Sequence, residues 1–99
     1  MAEYVIGLLN SFKDTARMDE YRAMAANALA KHSGKIVVRP TEPERIEGDA
    51  EEPTAIVLLS FPSSADARAW RDDPELASVH AMRRAGADIS FFLIENPAG

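Results

Sequence analysis

The chain has no cysteine, so neither disulfides nor thiolate metal sites contribute to its stability or chemistry. No segment approaches the roughly 20 apolar residues that a membrane-spanning helix requires. Positive charge is in short supply: 11 Lys and Arg stand against 16 Asp and Glu, for a net charge of -5, and the basic residues are scattered rather than gathered into a stripe. That balance opposes phosphate backbones and sets nucleic acid aside as a partner. The sequence also has no Gly-rich phosphate loop, no nucleophile elbow, and no histidine pair at metal-ligand spacing. Nucleotide-dependent, hydrolytic and zinc chemistries therefore lose their usual carriers, and neither a cofactor nor a metal is expected. The start, Met1-Ala2-Glu3-Tyr4, lacks a basic stretch leading into a long apolar one. With the lack of cysteine, this leads to the expectation of an unprocessed cytoplasmic protein.

What is present is globular in character, with 46% hydrophobic and 27% charged residues over 99 positions. The length fits one domain, residues 1–99, with one modest core. Without disulfides or metals, self-association is the remaining device for burying more surface.

Along the chain, Tyr4 to Leu9 is a run of large apolar residues interrupted by Gly7, the pattern of a buried strand with one close-packed position. From Met18, apolar residues recur at Tyr21, Met24, Ala25, Ala28, Leu29 and His32, which predicts an amphipathic helix. Gly34 falls where a left-handed helix cap belongs, and Lys35 to Arg39 reads as a β-branched strand stopped by Pro40. The segment Thr41 to Thr54, rich in proline and acids, is a hairpin-like connection with a strand extension at Arg45-Ile46-Glu47. Ala55 to Phe61 is the third strand. Ser63 with Asp66 resembles a capping box opening a short helix that carries Ala67 and Trp70. Asp73-Pro74 caps the next helix, whose inward face is Leu76, Val79 and Met82 or Arg83 and which ends at Gly86. Ile89 to Glu95 is the last strand. The order βαββαβ predicts an α+β, ferredoxin-like domain with a four-stranded antiparallel sheet.

Tyr4-Val5-Ile6, Ile56-Val57-Leu58-Leu59 and Phe91-Phe92-Leu93-Ile94 are apolar at successive positions, so both sheet faces call for burial. The helices cover one face. A second copy of the same sheet is the expected cover for the other, making a homodimer whose sheet–helix groove suits a small ligand.

Tyr4-Val5-Ile6-Gly7, Tyr21, Gly34 with Val38-Arg39, Glu47-Gly48-Asp49, Phe61-Pro62 followed by Ala67-Arg68-Ala69-Trp70, Pro74-Glu75 and Arg83 form an ordered set spanning nearly the whole chain. In this set the sequence resembles the family designated domain of unknown function 1330, of the dimeric α/β-barrel superfamily. The resemblance implies the fold and the dimer, two sheets packing as a dimeric α/β barrel. Two departures stand out: Leu76 comes after the Pro-Glu pair where the family commonly has tyrosine, and Ser33-Gly34 replaces two glycines.

Several residues are candidates for chemistry. Arg39 offers a bidentate fork to a carboxylate or enolate oxygen, or pairs with Glu47 across the hairpin. His32, His80 and Glu47 are the candidate acids and bases, against structural roles for His32 at a helix C-terminus and His80 on a helix surface. His80 paired with Arg83 or Arg84 suits an anionic ligand. Trp70 and Tyr21 are candidates for stacking a flat ligand, and Tyr4 for supplying a hydroxyl, with core packing as the alternative for Trp70. Glu42, Glu44, Glu47, Asp49, Glu51 and Glu52 lack the ordered spacing of a calcium loop and read as a solvated connection. These candidates support two functions. One is a cofactor-independent oxygenase or isomerase that stabilises an enolate-like anion, as in some dimeric α/β barrels. The other is a non-catalytic binding or interaction module for a small hydrophobic or anionic metabolite. Haem, bound by related barrels, lacks a marked axial ligand here.

Overall fold

The computed structural model describes residues 2–95. Strand β1 spans Glu3–Phe12, helix α1 Thr15–Ala30, strand β2 Lys35–Thr41, strand β3 Ala55–Phe61, helix α2 Ser64–Asp72, a 3-10 turn Pro74–Leu76, helix α3 Ala77–Gly86, and strand β4 Ala87–Ile94. The strands form one antiparallel sheet in the order β2-β3-β1-β4, with the helices on one face. This is the ferredoxin-like fold that the element order predicts. None of the described helices is long and apolar enough to cross a membrane.

The local start signals act as their chemistry dictates. Ser63 accepts a hydrogen bond from the Asp66 backbone N–H (3.2 Å) and donates one to the Asp66 carboxylate (2.9 Å). Asp73 accepts from the Glu75 N–H at 2.8 Å, with Pro74 at the first helical position. Helix α1 begins three residues before the expected Met18, because Asp14 caps it by accepting from the Arg17 N–H. Its start is tied to the end of α3, where the Gly86 carbonyl accepts from the N–H groups of both Lys13 and Asp14.

Three local expectations are corrected. The left-handed residue after α1 is Ser33, with φ 62°, not Gly34. Gly34 is required for space instead, since a Cβ there would lie 2.6 Å from the Phe61 ring. Strand β2 runs through Pro40 to Thr41; it is an edge strand, where a missing N–H need not break a ladder. No strand forms at Arg45-Ile46-Glu47, which lies in the irregular connection between β2 and β3.

The core lies between the sheet and the helices. Val5, Leu9, Val57, Leu59 and Phe61 meet Met18, Ala28, Leu29, Trp70, Leu76 and Val79. Gly7 is the close-packed position its context predicts: a Cβ would lie 2.5 Å from Val57 and 2.7 Å from Phe91. The opposite sheet face carries Tyr4, Ile6, Leu8, Val38, Ile56, Leu58, Phe92 and Ile94, all exposed or half-buried.

Candidate functional site

Two clefts open on the helical side of the sheet, separated by the side chains of Ile89 and Phe91, which line both. The larger, of about 590 Å³, lies between α1 and the sheet and opens beside β2. Its origin is local: α1 presents Ala25 and Ala26 toward β2 where larger residues would close the gap, and the edge strand contributes Ile36, Arg39 and Pro40. Its walls are mainly apolar, with Leu9, Met18, Val57 and Leu59 at the base. Tyr21, Arg22 and Arg39 are the ionisable residues among its lining, so neither a carboxylate nor an imidazole faces it.

The smaller cleft, about 320 Å³, lies between α2, α3 and β4. Its floor is Val5, Trp70, Ile89, Phe91 and Leu93, and its charged lining consists of Arg68, Arg71, Arg83 and Arg84 with Asp72. Arg83 is buried to 3% exposure. Its guanidinium lies 4.7 Å from the centroid of the Phe91 ring, 5.5 Å from Trp70 and 5.6 Å from Tyr21, a cage of aromatic rings drawn from β4, α2 and α1. Arg83 Nη1 donates to His80 Nδ1 at 2.8 Å, and His80 Nε2 donates to the Trp70 carbonyl at 2.9 Å. Both ring nitrogens of His80 are thus engaged. Burial holds its pKa below the ordinary value, the bond to the Trp70 carbonyl opposes that shift, and the Arg83 charge adds to it, so the ring is neutral at pH 7. Burial also lowers the Arg83 pKa, against the opposing effect of Tyr21; a guanidinium starts so high that it stays a cation.

The residues singled out from the sequence divide among separate places. Arg39 and Tyr21 meet at the α1 cleft, while Trp70, His80 and Arg83 form the buried network of the other side. Tyr21 links the two, lining the first and packing on Arg83. His32 Nε2 lies 2.8 Å from Asp73, which also pairs with Lys31 at 2.8 Å, so His32 joins the end of α1 to the α2–α3 junction. These contacts, with the Glu75 N–H, hold the Asp73 carboxyl well below the usual carboxylate range. Tyr4 lies on the uncovered sheet face, and Glu47 is exposed in the β2–β3 connection. Arg39 is exposed on the edge strand and forms no ion pair with Glu47; in that connection Arg45 pairs with Glu52 at 3.0 Å. Among the described residues, no three acidic or histidine side chains are grouped as metal ligands.

Sequence reasoning passed over Phe91, Arg71 and Arg22 as site residues, and it offered Arg84 only as an alternative partner for His80. A signal existed for Phe91, which alternates with Phe92 along β4 and so faces the helices. Arg71 and Arg84 sit on different helices, and nothing in their spacing announces that they meet.

The fold is similar to that of the RPA0582 protein of unknown function from Rhodopseudomonas palustris, with TM-score 0.76 and 14% identity over 96% of this chain and 82% of that one. It is also similar to a dimeric ferredoxin-like protein of unknown function from Jannaschia sp. CCS1, with TM-score 0.71 and 17% identity over 97% of this chain and 100% of that one. A third similar structure is SnoaB from Streptomyces nogalater, a cofactor-independent oxygenase, with TM-score 0.66 and 14% identity over 96% of this chain and 92% of that one. No curated protein is significantly similar in sequence. Over residues 2–97 the sequence matches the family described as domain of unknown function (DUF1330), and the chain belongs to that family.

Proposed function

We propose that this chain works as a homodimer that binds a small, mainly apolar molecule in the cleft beneath α1. The observation that carries this reading is the cleft itself: about 590 Å³, with mainly apolar walls, within the size range of small-molecule sites. Tyr21 and Arg39 supply the polar contacts that fix orientation, Arg39 from the mouth on β2. The second copy covers the sheet face that carries Leu58, Phe92 and Ile94, a reading supported by the dimeric ferredoxin-like neighbour. Native mass spectrometry of gently purified protein tests both parts. The expected spectrum is a dimer with a defined added mass, lost in Ala25→Phe, which fills the cleft. A folded monomer at micromolar concentration, or an added mass that Ala25→Phe leaves in place, overturns the corresponding part.

A second reading, cofactor-independent oxygenase or isomerase chemistry, is favoured by Arg39 at the cleft mouth, since a guanidinium can hold the oxygen of an enolate-like anion. The similar fold of SnoaB is consistent with it. His80 is poorly placed as a base because both its ring nitrogens are engaged, and His32 is bound to Asp73. On this reading the protein contributes position and charge, and the substrate supplies its own acidic proton. Turnover of an identified substrate that survives Arg39→Ala, with the fold intact, removes Arg39 from the chemistry.

A further inference from the structure

We propose that the smaller cleft, between α2, α3 and β4, is a separate anion site that takes a compact aromatic or aliphatic carboxylate. Its head would meet Arg83, and its apolar body would lie over Ile89, Phe91 and Leu93. The proposal does not depend on occupancy of the α1 cleft.

The argument starts from the cost of burying charge. A guanidinium removed from water is stabilised by an anion or by a full set of acceptors, and a buried cation with neither is expensive. Arg83 is 3% exposed, and among the described residues no carboxylate forms an ion pair with it. The groups packed on its guanidinium are neutral, namely three ring faces, the Tyr21 hydroxyl group and the unprotonated Nδ1 of His80, while Arg71 and Arg84 add like charge nearby. The hydrogen bonds to His80 and to the Tyr21 side chain use two of the five N–H donors and fix the plane of the fork. No fully buried side-chain nitrogen among the described residues lacks a partner, so a donor still unpaired is one that reaches the cleft Arg83 lines. A rigid, desolvated fork is the geometry that recognises a carboxylate through paired hydrogen bonds.

The surroundings agree in sign. Arg71 and Arg84 flank the cleft without a carboxylate partner among the described residues, Arg68 is tied to Glu95 at 2.6 Å, and Asp72 is the one acid in the lining. A concentration of cations in a chain of net charge -5 focuses a positive potential where the rest of the surface is acidic. The floor is apolar, so the matching ligand is amphipathic, and the volume of about 320 Å³ admits a single ring rather than a long chain.

Trp70 is the one tryptophan, and it lines this cleft beside Arg83, so its indole N–H resonance reports occupancy directly. The probe is benzoate, with benzyl alcohol as the neutral counterpart. Benzoate is expected to shift that resonance saturably and benzyl alcohol to do so at least about tenfold more weakly, the discrimination a charge-assisted pair supplies. Arg83→Gln is expected to weaken benzoate by about tenfold or more, and Arg83→Lys by less. Should Arg83→Gln fail to fold, the exposed pair Arg71→Gln with Arg84→Gln decides: it should leave the melting temperature unchanged and weaken benzoate about two- to fivefold, through lost long-range attraction. Equal binding of benzyl alcohol, no response to millimolar benzoate, or loss of benzoate binding in Ala25→Phe with retention in Arg83→Gln overturns the proposal. The last outcome places the probe beneath α1 and leaves the proposed α1 site standing.

Discussion

The two faces of the sheet are built from similar residues and end in opposite states. On the helical face Phe61 is 1% exposed, whereas on the other face Phe92 is 52% exposed. Neighbours on one strand, Phe91 and Phe92, fall on opposite sides because side chains alternate along β4. Burial is therefore decided by what covers a face, not by hydrophobicity. The covered face holds the core and both clefts, while the open one presents a broad apolar surface, the one the proposed homodimer would cover.

The contrast between the faces is open to its most forceful challenge on the covered side. Trp70 is 3% exposed and packs against Phe61, His80 and Phe91, so Trp70→Ala should cost about 3–5 kcal/mol by urea denaturation. A cost below about 1 kcal/mol would mean that this layer is not the core. On the open side, Phe92→Asp should leave the single chain folded and disrupt its association. Sedimentation should show monomers, and the wild-type rise of melting temperature with protein concentration should vanish. If the variant remains dimeric, the interface lies elsewhere.

A smaller effect separates the faces by pH. The His80 pKa is lowered from the ordinary 6.5 in the folded chain, so the unfolded chain binds more protons as pH falls through that value. Its contribution to stability is complete above pH 6.5 and is lost progressively below it, at no more than about 1.4 kcal/mol per pH unit. Urea midpoints at pH 7.5 and 5.5 should therefore differ in the wild type, and His80→Gln should reduce the difference. An unchanged difference would show that His80 carries none of it. The Asp73 carboxyl, lowered by Lys31 and His32, adds a further loss only at more acid pH, as it is protonated. The smallest change is a gain: Ser33 occupies the left-handed region, so Ser33→Gly should stabilise by about 0.5–1 kcal/mol. A loss on that substitution would mean that Ser33 is held there by contacts worth more than its backbone strain.

Much of the framework was legible because its causes are local. Ser63 and Asp73 cap the helical segments that begin beside them, and apolar runs mark β1, β3 and β4. The misplacements arose where a distant residue intervened. Gly34 looks like a helix cap, but the left-handed residue is Ser33, and what requires glycine at 34 is the ring of Phe61, far along the chain. Pro40 looks like a strand stop, but β2 is an edge and tolerates it. The site was legible only as residue types. Arg83 and His80 are one helical turn apart and their pairing is set by that spacing, yet the rings around Arg83 come from α1, α2 and β4.

Sequence alone determined the element order, the helical starts at Ser63 and Asp73 and the demand for burial on both sheet faces, because capping and periodicity operate over a few residues. The tertiary structure decided that Arg83 lies buried without a carboxylate, that Arg39 stays exposed at a cleft mouth and that α1 leaves an apolar space above β2. Each depends on which side chains from separate elements arrive at the same place, and short-range pattern carries no information about that.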